Sequence, residues 1–109
     1  MTELFKLEFY VPDSHLETVK QAMFAAGGGR VGDYDSCAWQ TAGQGQYRPL
    51  AGSDPYHGQT GKVEKMPEYK VEMVCTRERL KPVLAALKAA HPYEEVAFSV
   101  IAMADISGA

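Results

Sequence analysis

Phe5, Leu7, Phe9 and Val11 alternate with Lys6, Glu8 and Tyr10, a period of two that predicts a first strand with one buried face. Pro12-Asp13-Ser14 breaks it, and Ser14 with Glu17 three residues on has the spacing of a capping box opening a helix. Leu16, Val19, Met23 and Phe24 share one face of that helix. Gly27-Gly28-Gly29 should end it, because glycine accepts the left-handed conformation common just past a helix C-terminus. A second strand is expected over 36–41, with Cys37 and Trp39 on one face. From Ala42 to Gly61 the chain is rich in glycine and carries Pro49 and Pro55, yet Tyr47, Leu50 and Tyr56 are too apolar for an idle linker, so an extended arm is expected. Tyr69, Val71, Met73 and Cys75 alternate with Lys70, Glu72 and Val74 as a third strand. Thr76 is positioned to cap a second helix striped by Leu80, Val83, Leu84 and Leu87. Pro82 removes a bond inside that helix, which should therefore begin late or start distorted. Pro92 disfavours the α conformation at the residue before it, so the helix should stop near His91. A last strand is expected from Glu94 to Met103, with Val96, Phe98, Val100 and Ala102 inward.

The order is βαββαβ. Two helices with one apolar stripe each must both pack on a sheet. Placing them on one face of a four-stranded antiparallel sheet gives an α+β two-layer sandwich of ferredoxin-like type, with the arm or hairpin in the middle. Trp39, Tyr10, Val74, Ile101 and Met103 then have parities suited to the uncovered face, where a subunit interface would bury them. At 109 residues the chain suits a single domain over 1–109. A net charge of −3 supplies no broad positive field for a phosphate backbone, so nucleic acid is not an expected partner. No apolar run is long enough for a bilayer and the start carries no basic leader, which makes membrane association unexpected and cytoplasmic residence the expectation. Cys37 and Cys75 lie far apart without CxxC spacing in strand-like segments, where a reduced thiol acts as a small apolar side chain, and no disulfide is implied.

His91-Pro92-Tyr93-Glu94-Glu95 concentrates imidazole, phenol and two carboxylates at one junction. Imidazole nitrogen and carboxylate oxygen suit zinc and similar ions, so His91, Glu94 and Glu95 are candidate ligands of a divalent metal, the one cofactor the sequence suggests. His91, Tyr93 and Glu94 are also candidate contacts to a small ligand, with Glu94 inward by alternation and Glu95 outward. The competing reading has His91 meeting the terminal helix carbonyls while Tyr93 and the glutamates guide entry into the strand. Gly27 to Gly32 matches G-x-G-x-x-G by letter, but it follows a helix and leads towards a strand, the reverse of a dinucleotide-binding turn. What remains is a helix-end turn, or an anion nest of backbone N–H groups with Arg30 as helper. His57 reads as a solvated loop residue and His15 as an exposed one without an evident partner. Cys37 lacks an acid-base constellation, and no nucleophile elbow, Walker loop or zinc-ribbon spacing occurs.

Three ordered blocks carry a family likeness: 29–39 (Gly-Arg-Val-Gly-Asp-Tyr-Asp-Ser-Cys-Ala-Trp), 43–49 (Gly-Gln-Gly-Gln-Tyr-Arg-Pro) and 91–98 (His-Pro-Tyr-Glu-Glu-Val-Ala-Phe). Together they resemble the PII-like or CutA-like module inserted in YqfO-type proteins, which are also labelled type-2 GTP cyclohydrolase homologues. The resemblance implies a ferredoxin-like fold that associates as a trimer. In the larger relatives the flanking halves carry a two-metal centre; a chain holding only the insert has no positions matching those ligands, so the hydrolase label does not follow.

The main expectation is a small, stand-alone, cytoplasmic, self-associating module that responds to a small ligand or a divalent cation, and is not primarily an enzyme. Its site would be His91, Glu94 and Glu95 with Tyr93 orienting them, and the arm from Gly43 to Gly61 closing over the site or crossing to a neighbour. Two alternatives stand beside it. One is an enzyme acting on a nucleotide or another phosphorylated small molecule, with the turn from Gly27 to Gly32 holding phosphate and His91 or Glu94 moving protons. The other is a purely structural assembly unit.

Overall fold

A computed structural model describes residues 3–106. Strands β1 (Leu4–Val11), β2 (Trp39–Tyr47), β3 (Glu64–Thr76) and β4 (Phe98–Ala102) alternate with helices α1 (Leu16–Ala25) and α2 (Arg77–Ala90) in the order β1-α1-β2-β3-α2-β4. The sheet order is β2-β3-β1-β4 with every neighbouring pair antiparallel, the expected ferredoxin-like arrangement. In the β1–β3 register Phe5 faces Cys75, Leu7 faces Met73 and Phe9 faces Val71, so the two alternations put their apolar members on one side. Leu16, Val19 and Met23 of α1 and Val83 and Leu87 of α2 close over that side in one core. Each large side chain buried there contributes roughly 1.5–3 kcal/mol relative to leaving it in water.

Glycine ends α1 as expected. Gly27 N–H donates to the Phe24 carbonyl and Gly28 N–H to the Met23 carbonyl, each at 3.0 Å, the paired bonds of a Schellman motif. Gly29 has φ 69° and donates to the Val74 carbonyl at 2.9 Å; a Cβ there would lie 2.7 Å from the Cys37 carbonyl oxygen. The entry to α1 differs from the capping box. His15 N–H donates to the Pro12 carbonyl, which draws Asp13–His15 into a 3-10 turn and leaves Ser14 inside it, with its hydroxyl on His15 Nδ1 at 2.8 Å. α2 starts early in spite of Pro82. Thr76 is extended there and makes no side-chain cap bond. The entry is held instead by Arg77, whose backbone N–H donates to the Glu3 carbonyl and whose guanidinium grips the Glu3 carboxylate at 2.9 and 3.1 Å.

The middle of the chain departs furthest from the sequence pattern. β2 begins at Trp39 and runs to Tyr47, pairing with β3 from Glu72 to Glu64, so the first part of the expected arm, 42–47, is strand and Cys37 lies outside β2. β1 stops pairing with β3 at Tyr69, and beyond that point β2 and β3 project as a two-stranded ribbon on a molecule 51 Å long and about half as wide. Pro67 sits in that ribbon, where β3 has one neighbour only and a strand tolerates proline. β4 is shorter than expected, beginning at Phe98; Val100 shares the side of Leu7 but stays 36% exposed on this edge strand, and Ala102 is exposed.

The side of the sheet away from the helices carries a band of alternating charge. Lys6 bridges Glu8 and Glu72, and Lys70 lies 3.7 Å from Glu8. The Lys6 ammonium holds the Glu72 carboxyl below the usual carboxylate range and is itself raised in return. Around this band Tyr10, Trp39, Ile101 and Met103 are exposed, Trp39 by 68%, on the face the strand parities indicated.

Candidate functional site

α2 ends where Pro92 requires. His91 keeps its N–H on the Leu87 carbonyl at 3.0 Å while its own backbone is extended, φ −76° and ψ 139°. That exit turns the imidazole onto the end of β1. Its Nε2 lies 2.7 Å from the Tyr10 carbonyl oxygen and its Nδ1 accepts the Tyr93 N–H at 3.1 Å. A carbonyl only accepts and an amide N–H only donates, so the partners select the neutral tautomer protonated on Nε2. The ring is 6% exposed. Burial lowers its pKa, opposed by the Tyr10 carbonyl and the Glu68 charge. His91 thus joins β1 rather than the helix carbonyls, and both of its nitrogens are engaged within the chain.

Tyr93, held by that amide bond, turns its phenol to Glu68, whose Oε2 accepts the hydroxyl at 2.7 Å. Burial first, and then this carboxylate, push the phenol pKa far up. The Tyr93 ring lies 4.8 Å from His91, 6.1 Å from Tyr47 and 6.0 Å from Tyr56. Tyr47 donates its hydroxyl to the His57 carbonyl at 2.6 Å, and Gly61 N–H closes the loop on the Pro49 carbonyl at 2.7 Å. Glu94 and Glu95 lie in a bend before β4 and both are exposed, so strand alternation does not place Glu94 inward. Glu94 instead accepts the Asp54 N–H at 2.9 Å and ties the 48–63 loop down. A cavity of about 860 Å³ results between ribbon, loop and this bend, lined among others by Tyr47, Tyr56, Glu68, Lys70, Tyr93 and Glu94.

The sequence residues divide between two places. His91 braces this cavity, Tyr93, Glu94 and Glu95 line it, and Arg30 lies in a separate hollow with Gly32, Asp33, Tyr34 and Asp35. The N–H groups of Gly27, Gly28 and Gly29 are all bonded to carbonyls, which leaves those three no free donor for an anion nest. Among the described residues no group of three His, Cys, Asp or Glu side chains is placed to hold a metal ion. His15 is not solitary: it stands edge-on to Tyr56 at 5.8 Å, while His57 lies 3.8 Å from Glu64. Both cysteines are free, and burial raises the Cys75 thiol.

Glu68 is the central residue that sequence reasoning missed. It precedes Tyr69 by one position, on the parity of Lys70 and Glu72, and the signal was present in the phenol of Tyr93, which needs a partner once half-buried. Its carboxylate lies across Gly45, where any Cβ would overlap it. Gly45 of β2, counted with the extended arm, makes room for a glutamate.

Comparison with solved structures defines the class. CutA from Synechococcus elongatus superposes with a TM-score of 0.68 at 21% identity, over 94% of this chain and 79% of that one. GlnK of Bacillus subtilis gives 0.63 at 16% identity, over 94% and 86%. The fold is that of CutA and PII proteins. A Bacillus cereus protein related to NIF3 gives 0.83 at 32% identity, over 95% of this chain and 26% of that one. The protein of Mycobacterium bovis named GTP cyclohydrolase 1 type 2 homolog is 45% identical over 101 residues, 93% of this chain and 27% of its own length. The chain is therefore a CutA/PII-like domain homologous to one segment of the GTP cyclohydrolase 1 type 2 homologues, and spans about a quarter of the length of the curated relatives it matches. No family model matches it. No helix is long and apolar enough to cross a membrane among the described residues.

Proposed function

We propose that this chain is a self-associating, cytoplasmic PII/CutA-like interaction module that takes a small ligand in the cavity beneath the 48–63 loop, and that it is not primarily an enzyme. The cavity carries the reading: its volume of about 860 Å³ lies within the range of small-molecule sites, and aromatic rings with a few convergent polar groups line it. In this reading Tyr93 and Glu94 meet the ligand, His91 positions Tyr93 through its amide, and Arg30 takes no part. A ligand that loosened the Glu94 bond to Asp54 would free the loop, which couples occupancy to the shape of the arm. Self-association rests on the exposed Trp39, Ile101 and Met103 on the uncovered sheet face, with a trimer favoured. Native mass spectrometry of the untreated protein tests both halves together. A trimer carrying a co-purifying small molecule is expected; a protomer at high concentration would remove the assembly. A divalent ion retained in the same spectrum would replace the small molecule as ligand.

A further inference from the structure

We propose that the cavity selects an organic cation, an ammonium or guanidinium group on a small apolar body; this rests on the cavity being the binding site. Four carboxylates line it, Glu68, Glu72, Glu94 and Glu95, against Lys70, Arg48 and His57. Lys6 meets Glu72 and takes it out of the balance, while Lys70 turns to Glu8 and His57 to Glu64, which leaves Glu68, Glu94 and Glu95 facing Arg48. Glu68 is the best-placed carboxylate. Tyr93 fixes its Oε2, while its Oε1 lies over Gly45 with no hydrogen-bond donor among the described residues.

The rings supply the second half of the argument. Tyr93 stands about 6 Å from Tyr47 on one side and from Tyr56 on the other, and all three rings line the cavity. A phenol face carries the negative end of a ring quadrupole and attracts a cation within about 6 Å of its centre. A bare metal ion needs three or more ligand atoms converging at short range, which the described residues do not offer. An anion would meet the surplus of carboxylates. A wholly neutral guest would strip water from Glu68 without replacing its hydrogen bonds. An organic cation uses both the carboxylate and the rings.

A matched trio of probes tests this on the full chain by nuclear magnetic resonance of the tyrosine rings: cyclohexylmethylamine, its neutral counterpart cyclohexylmethanol, and cyclohexanecarboxylate. The amine should shift Tyr47, Tyr56 and Tyr93 saturably, and the alcohol and the acid should not at equal concentration. Glu68→Gln keeps an acceptor for the Tyr93 hydroxyl but removes the charge, and should weaken the amine about tenfold or more. Should that variant fail to fold, Tyr93→Phe, which keeps the ring but releases Glu68, should weaken it less. Equal binding of the alcohol or the acid overturns the charge selection and leaves the cavity as a ligand site. Binding of magnesium or zinc in place of the amine does the same. Silence of the tyrosine rings to every probe removes the cavity reading as well, and amine binding indifferent to both variants overturns the part given to Glu68.

Discussion

At the helix-covered end of β3, Val71, Met73 and Cys75 are buried in one core with residues of β1 and both helices. At the other end of the same strand, Glu64 to Glu68 have only β2 beside them, and single polar bonds fix the shape: Tyr93 to Glu68, Tyr47 to the His57 carbonyl, Glu94 to Asp54. Packing is redundant and polar pairing is not. The first end should govern whether the chain folds, and the second what the folded chain does, because local opening is drawn from regions with few buried apolar contacts.

The largest effect that would break this contrast is at Phe9, which is wholly buried. Phe9→Ala should cost about 3–5 kcal/mol, read as a fall in the urea midpoint with an unchanged slope. A loss no greater than that of a ribbon substitution would mean the core is not the dominant support.

His91 sits on the border between the two ends, and its removal should be intermediate. His91→Ala leaves the Tyr10 carbonyl and the Tyr93 N–H without partners, which should cost about 1–3 kcal/mol. It also carries a pH signature. Burial lowers the imidazole pKa below its ordinary 6.5, so below that pH the unfolded chain binds more protons than the native one. Stability of the native sequence should fall as the pH drops through that value and be insensitive to this group above it. The variant should lack this component, and thermal melts between pH 5 and 8 decide it.

The same border separates what the sequence made legible from what it did not. Phe5 to Val11 and Tyr69 to Cys75 were legible because a sheet face buried on one side imposes a period of two, and Gly27 to Gly29 because a Schellman turn requires positive φ at one of them. Of the ribbon only an extended arm or hairpin was legible and not its pairing, because its residues answer to each other rather than to a core: Gly45 makes way for Glu68, and Pro67 survives where β3 is an edge. Alternation misplaced Glu94 for a related reason. Val96 and Phe98 do pack on the core, but the pattern cannot register that His91 binds the end of β1 and bends the chain before β4 begins. Of the candidate site, the sequence named the segment from His91 to Glu95; the partners Glu68, Tyr47 and Tyr56 required the register of β2 on β3 and the course of the loop.

The smallest effect on stability, and the sharpest test of the contrast, is expected at Glu94. Its carboxylate is exposed and accepts one N–H, from Asp54, forty residues earlier in the chain. Glu94→Gln keeps a carbonyl oxygen for that bond, whereas Glu94→Ala removes the acceptor. An exposed contact of this kind is worth at most about 1 kcal/mol, so neither variant should move the thermal midpoint by more than a few degrees. Amide hydrogen exchange over 50–58 should separate them. It should rise several-fold in the alanine variant and stay near the native rate in the glutamine one, since the loop is held by the hydrogen bond and not by the charge. If the glutamine variant opened the loop as far as alanine did, a charge-dependent contact would be holding it; if neither opened it, the loop would owe its place to the tyrosine wall, and the two ends of the molecule would differ less than their chemistry suggests.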